Sequence, residues 1–293
     1  MQVLNDSIRL IECPRDAMQG WKHFIPAEKK AEYINALLKV GFDTIDFGSF
    51  VSPKAIPQMA DTKTVIEKIN TNESKTRLLA IVANTRGAAE AVAYEKIYYI
   101  GFPFSISETF QLRNTNSTIE ESVARVDEIQ NICIRHNKKL VIYLSMGFGN
   151  PYGDEYNADI LLKWANEMVS RKIEIISLAD TVGLATPQQI QFALETLIPE
   201  YTETEFGVHL HSRPDNWKEK FEISVKSGCK RFDGALKGIG GCPMAQDTLV
   251  GNMNTELMID YLQQHDLLTG IEQHALQESL YLASQLFNNE IPV

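Results

Sequence analysis

The sequence predicts an α/β fold: a (β/α)8 TIM barrel with additional C-terminal helices. Three observations predict it. Short apolar, β-branched runs alternate with amphipathic helical patterns, and eight such units follow one another. The runs are nearly continuous in apolar residues, as strands buried on both faces are. No Gly/Ser-rich or Pro-rich linker interrupts the alternation. The 293 residues therefore read as one domain, with a barrel over about 8–241 and a helical extension over 255–293.

Each element follows in order. Ile8 to Cys13 is the first strand. Pro26 to Val40 is a helix: proline suits the first turn, Tyr33, Ile34, Leu37 and Leu38 share a face, and Gly41 stops it. Thr44 to Phe50 is the second strand, and Asp61 is placed to cap a helix through Ile69. Leu78 to Ala83 is a strand, Arg86 to Tyr94 a helix, and Lys96 to Gly101 a strand rich in Ile and Tyr. Thr118-Ile119-Glu120-Glu121 is a capping-box pattern opening a helix to about His136. Leu140 to Ser145, Ile173 to Leu178, Phe206 to His211 and Arg231 to Ala235 complete the strands. Helices over Ala158–Arg171, Pro187–Leu197 and Trp217–Lys226 separate them. From Thr255 onward, Leu257, Ile259, Leu262, Leu276, Leu280, Leu286 and Phe287 give helices whose apolar faces cover the barrel or a partner subunit.

Bulk properties exclude several functions. A net charge of -10 argues against a nucleic-acid surface. The start lacks a basic segment followed by an apolar one, and no apolar run spans a bilayer, so a cytoplasmic protein with no membrane partner is expected. The four cysteines form no CxxC pair and read as free thiols. Cys13, Cys133 and Cys229 fit small core positions; Cys242 lies in the glycine-rich stretch Gly238-Ile239-Gly240-Gly241-Cys242-Pro243.

In a barrel of this class the active site is built at the C-terminal strand ends. Polar residues break the apolar pattern there: Arg15 and Asp16, Asp46 and Ser49, Asn84, Asn114, Ser145, Asp180 and Thr181, His209 and His211, and Cys242. His209 and His211 are at i and i+2 of one strand, so both imidazoles project to one face. Asp16 and Asn252 would add oxygen donors. With no thiolate set, this is not a structural zinc cluster. The mixture suits Mg2+ or Mn2+, with Co2+ or Zn2+ as further options, and leaves open positions for substrate. Arg15 beside such an ion is suited to stabilise a developing oxyanion. Cys242 is suited to exchange a proton with an enolate carbon.

These stretches resemble the hydroxymethylglutaryl-CoA lyase family of the DRE-TIM metallolyases. The resemblance runs through Glu12 to Gln19, Ser49 to Lys54 with Pro57-Gln58-Met59, Asn84 with Gly87, Ser107-Glu108, Asn114 to Ser122, Ser177 to Gly183, His209-Leu210-His211, Gly238 to Gln246 and Gly251-Asn252. It implies cleavage of 3-hydroxy-3-methylglutaryl-CoA to acetyl-CoA and acetoacetate, as in leucine degradation and ketone-body formation. It further implies a metal held by Asp16, His209, His211 and Asn252, catalytic roles for Arg15, His209 and Cys242, an acyl-CoA partner and a homodimer. Gln19, Asp46, Ser49, Asn84, Asn114, Ser145, Asp180 and Thr181 are then the expected substrate contacts. The chain departs from the family pattern at Ala17-Met18, at Asp46 in place of Glu, at Ser212-Arg213 after the second histidine, and in a longer loop between Cys242 and Asn252. Two other readings are a related enzyme that cleaves another 3-hydroxy acyl-CoA or condenses an acyl-CoA with a keto acid, and an inactive barrel that only binds.

Overall fold

The computed structural model describes residues 7–241 and 250–288. Its first unit is β1 (Arg9–Glu12), α1 (Pro14–Gln19) and α2 (Ala27–Leu37), followed by β2 (Thr44–Ser49) and α3 (Thr62–Lys68). Next come β3 (Arg77–Ile81), α4 (Thr85–Ala91), β4 (Ile97–Ser105), α5 (Glu108–Thr115) and α6 (Ile119–Arg135). The later units are β5 (Lys139–Ser145) with α7 (Ala158–Ser170), β6 (Ile175–Asp180) with α8 (Pro187–Glu200), β7 (Glu205–Ser212) with α9 (Trp217–Lys226), and β8 (Arg231–Gly234). Strands β1 to β8 pair in parallel with their sequence neighbours, and β8 pairs with β1, which closes the barrel. A two-residue strand, β9 (Gly251–Asn252), lies antiparallel to β7, and α10 (Thr255–Gln264) and α11 (Gln273–Leu286) follow.

Most boundaries match the sequence reading; the differences have physical reasons. Helix α1 has six residues, too few to show a helical period, although Pro14 occupies its first turn. Strand β4 continues to Ser105 instead of stopping at Gly101, since Pro103 is accommodated in register with Tyr143 of β5. A proline inside a strand ordinarily argues against it. Asp61 stands at the N-terminus of α3 without capping it; its carboxylate takes a 2.6 Å hydrogen bond from buried Lys30 instead. Thr118 and Thr186 do form full capping boxes, with Glu121 and Gln189.

Along β7, Phe206, Val208 and Leu210 join the large apolar core, while His209 and His211 face a cavity inside the barrel. A second cluster, Leu79, Ile81, Tyr99, Val141, Tyr143 and Ile175, comes from β3 to β6. The β7–β8 side of the barrel is polar by contrast, with Arg231 fully buried and Asp233 2 % exposed. Gly207 makes room for the arginine: a Cβ there would lie 2.9 Å from Arg231 Cβ, Cγ and Cδ.

The C-terminal helices pack on the barrel's own helices. Phe287 sets its ring edge-on to Trp21 (5.3 Å) and Tyr33 (6.3 Å), and Tyr261 of α10 does the same to Phe221. Glu12 ties this layer to the barrel. Its two oxygens accept from Leu236 N (2.8 Å) and Thr255 Oγ1 (2.6 Å). Burial pushes its carboxyl up to about 8, against the pull of those two donors.

Candidate metal centre

The cavity opens at the C-terminal ends of the strands and has a volume of about 120 Å³. Three elements bring its polar groups together. The turn from β1 into α1 delivers Arg15 and Asp16, β7 delivers His209 and His211, and β9 sets Asn252 beside His211 in antiparallel register. Gly240 lets the loop before β9 pass this close. It has φ +117°, and a Cβ there would lie 2.3 Å from Asn252 Nδ2 and 3.1 Å from Asp16 Oδ2.

The ligand atoms of Asp16, His209 and His211 lie within 4.8 Å of one another, all in buried residues. Asp16 Oδ1 accepts from Arg15 Nη1 (2.9 Å) and Gln19 Nε2 (2.7 Å), and its Oδ2 accepts from Asn252 Nδ2 (2.7 Å). Asn252 Nδ2 also donates to Ile239 O (2.9 Å). Its amide oxygen is therefore the atom suited to ligation. His209 Nδ1 faces Asp233 Oδ2 at 3.1 Å. His211 Nε2 is buried with no hydrogen-bond partner among the described residues.

Charge follows from this geometry. Burial alone would raise the Asp16 carboxyl; Arg15 and the two imidazoles overcome it and hold Asp16 at about 2. Burial, and then His209, press His211 down to about 4, so its ring is neutral near pH 7. Burial also works against a charge on His209, but the bond to Asp233 and the nearby Asp16 bring its proton affinity above the ordinary histidine value. Burial raises Asp46 to about 6 despite Arg15, with Asp16 and Asp233 adding to the rise. Cys13, whose Sγ also lies near His209 and Asp233, is pushed well up by burial and three carboxylates. It stays a thiol and is a poor ligand.

The donor set fits a divalent cation. It offers an ionised carboxylate, a neutral imidazole with an orphaned nitrogen, a second imidazole and an amide oxygen, and buried carboxylates exceed nearby guanidinium charge.

Of the residues singled out from the sequence, Arg15, Asp16, Gln19, Asn114, Ser145, Thr181, His209 and His211 line this one cavity. Asp46 lies beneath Arg15, accepting from Nε (3.0 Å) and Nη2, and Asn252 adjoins through Asp16. Three others are committed elsewhere. Ser49 accepts from Val51 N (3.1 Å), Asn84 is exposed and caps α4 through Gly87 N, and Asp180 pairs with Lys220 Nζ at 2.7 Å. Cys242 lies outside the described residues. Arg213 points away from the cavity's charges, being exposed and paired with Asp215 at 3.2 Å. The added cation after His211 is therefore not among the site residues.

Sequence reasoning missed three groups. One is Asp233, detectable only as a charged residue inside a buried strand. Another is Lys220, which looks like any helical lysine. The third is the apolar wall, with Val51, Ile56, Ile81, Pro103 and Phe110.

A family model described as HMGL-like matches residues 9–282. The chain belongs to the HMGL-like family. Among relatives of this HMGL-like protein, the cytoplasmic 3-hydroxy-3-methylglutaryl-CoA lyase of Rattus norvegicus is 31% identical over 277 residues, covering 94% of this chain and 80% of the relative. A Pseudomonas aeruginosa protein, 3-hydroxy-3-isohexenylglutaryl-CoA/hydroxy-methylglutaryl-CoA lyase, is 29% identical, covering 94% of this chain and 91% of its own. An HMG-CoA lyase from Acinetobacter baumannii, solved with coenzyme A and 3-methylmalate, superposes with a TM-score of 0.88 at 26% identity and covers all of both chains.

Proposed function

We propose that this HMGL-like chain is a divalent-metal-dependent carbon–carbon lyase that cleaves 3-hydroxy-3-methylglutaryl-CoA to acetyl-CoA and acetoacetate. The observation that carries the reading is the gathering of the Asp16, His209 and His211 ligand atoms within 4.8 Å of one another, with His211 Nε2 unpartnered among the described residues and Arg15 and Asn252 both bonded to Asp16. A divalent cation held by these four residues would supply Lewis-acid polarisation of adjacent hydroxyl and carboxylate oxygens.

The chain's own residues supply the rest. In the retro-Claisen reaction the hydroxyl releases its proton to solvent, the carbinol carbon becomes a ketone, and the C2–C3 electron pair passes into the acetyl thioester as an enolate, which later takes up one proton, so the reaction has no net proton change. Among the described residues four of Arg15's five N–H groups are committed: Nε and one on Nη2 to Asp46, and both on Nη1, to Asp16 and Gln19. The fifth, on Nη2, is left to donate to the enolate oxygen. Asp46 and Gln19 fix the guanidinium before substrate arrives, so little reorganisation accompanies the reaction. Cys242 is assigned the proton returned to the enolate carbon, completing acetyl-CoA.

The apolar wall formed by Val51, Ile56, Ile81 and Phe110 favours one second reading: a bulkier branch at the substrate's third carbon. Acetoacetate release from 3-hydroxy-3-methylglutaryl-CoA, dependent on added Mg2+ or Mn2+ and abolished by a chelator, is the expected result. No release, together with turnover of a longer-branched 3-hydroxy acyl-CoA, would move the assignment to that second substrate. Failure to bind any divalent cation would leave only a binding barrel.

A further inference from the structure

We infer that Asp233 is a positioning residue that fixes His209 as a metal ligand through its outer nitrogen. Asp233 Oδ2 lies 3.1 Å from His209 Nδ1, and the two residues are direct partners in the β7–β8 register. An anionic acceptor at Nδ1 requires the proton there, which leaves Nε2 with its lone pair free for the cation. Asp233 is 2 % exposed, so the bond is shielded from water.

A buried guanidinium stands near Asp233 in the barrel interior. Arg231 lies two residues earlier on the same strand and the same face, fully buried, and none of its side-chain nitrogens has a hydrogen-bond partner among the described residues. Asp233 Oδ1 is also without one. A buried guanidinium with no direct partner still requires a compensating charge nearby and water to complete its bonds. Asp233 provides the charge. The Tyr143 ring stands edge-on to His209 at 5.8 Å and closes the third side, so the imidazole has little freedom to turn.

This inference rests on the metal-site reading above, and the tests separate the two. The metal-free protein and its Asp233→Asn variant would be titrated with Mn2+, following the free ion by electron paramagnetic resonance. The expected outcome is one equivalent bound by each, with affinity lower by ~10–100-fold in the variant. Metal-free circular dichroism and melting should be close to wild type. The His209 tautomer, read from imidazole nitrogen shifts in the metal-free wild type at a pH high enough that the ring holds a single proton, should carry that proton on Nδ1. That measurement decides the matter even if the variant does not fold, because a proton on Nε2 overturns the proposal. Variant affinity within twofold of wild type overturns it as well, while leaving the metal site standing. Two equivalents in wild type, one of them lost in the variant, would make Asp233 a ligand of a second ion with Cys13 and overturn the positioning role. No Mn2+ binding by wild type would overturn both readings.

Discussion

Arg15 and Glu12, three residues apart where β1 gives way to α1, do different work. Among the described residues Arg15 is nearly saturated by Asp46, Asp16 and Gln19, and in the proposed reaction its last N–H would meet charge that appears only during bond cleavage. Arg15→Met is expected to lower kcat by ~10²–10³-fold, a loss of about 3 kcal/mol of transition-state stabilisation, with a much smaller change in Mn2+ affinity. Steady-state kinetics beside metal titration checks this, and near-normal turnover would remove the role. Glu12 makes a prediction in pH. Its folded carboxyl titrates near 8, above the ordinary value of 4.5. Between those values the unfolded chain has lost the proton and the folded chain keeps it. Rising pH therefore favours unfolding across that window, and the contribution levels off above it, a span on the order of 5 kcal/mol. Glu12→Gln should flatten this slope, as seen by comparing urea midpoints at pH 5 and pH 8. The proposed ligands were legible from two facts, i, i+2 spacing on an apolar strand and polar residues where strands end. The same rule also selects residues that do not line the cavity. Ser49, Asn84 and Asp180 also stand at strand ends, but short polar side chains there serve equally to cap helices and brace turns, and sequence does not distinguish these uses.

Strand β7 depends on a brace from α9. Lys220 is 1 % exposed, and its ammonium donates to Asp180 Oδ2 (2.7 Å), His211 O (2.9 Å) and Gly183 O (3.2 Å). All three protons are used, and the bonds join the ends of β6 and β7 to the turn before α8. Lys220→Met would leave Asp180 buried without its counter-charge. A loss of ~3–5 kcal/mol in denaturant unfolding is expected, with Lys220→Arg recovering only part because the planar fork does not match a three-way ammonium site. A midpoint unchanged from wild type would show the brace to be dispensable. At this scale the long helices and strands were legible because hydrophobic period and capping boxes agree. Helix α1 was not, having only six residues, and Pro103 concealed the second half of β4. The use of Lys220 could not be read at all, since its partners come from three other segments.

The whole barrel reads clearly from sequence because closure follows from eight repeated units, each obeying the same local rules. The polar interior does not, because the match between Gly207 and Arg231 exists only once two strands lie side by side. Cation binding should act on the molecule as a unit. With free Mn2+ at 100 times its Kd, the folded state gains about 2.7 kcal/mol, which raises the Tm of a chain this long by several degrees. Differential scanning calorimetry with and without chelator checks it, and an unchanged Tm would mean no ion binds the native state preferentially.

Asp16 and Asn252 touch across 236 residues of sequence. A ribosome must release everything through Asn252 before both can meet, so a cation would have nothing complete to grip until then. It cannot template early collapse; it can only lock a barrel that has already closed. In refolding experiments, added metal should therefore slow unfolding and leave the main folding rate unchanged.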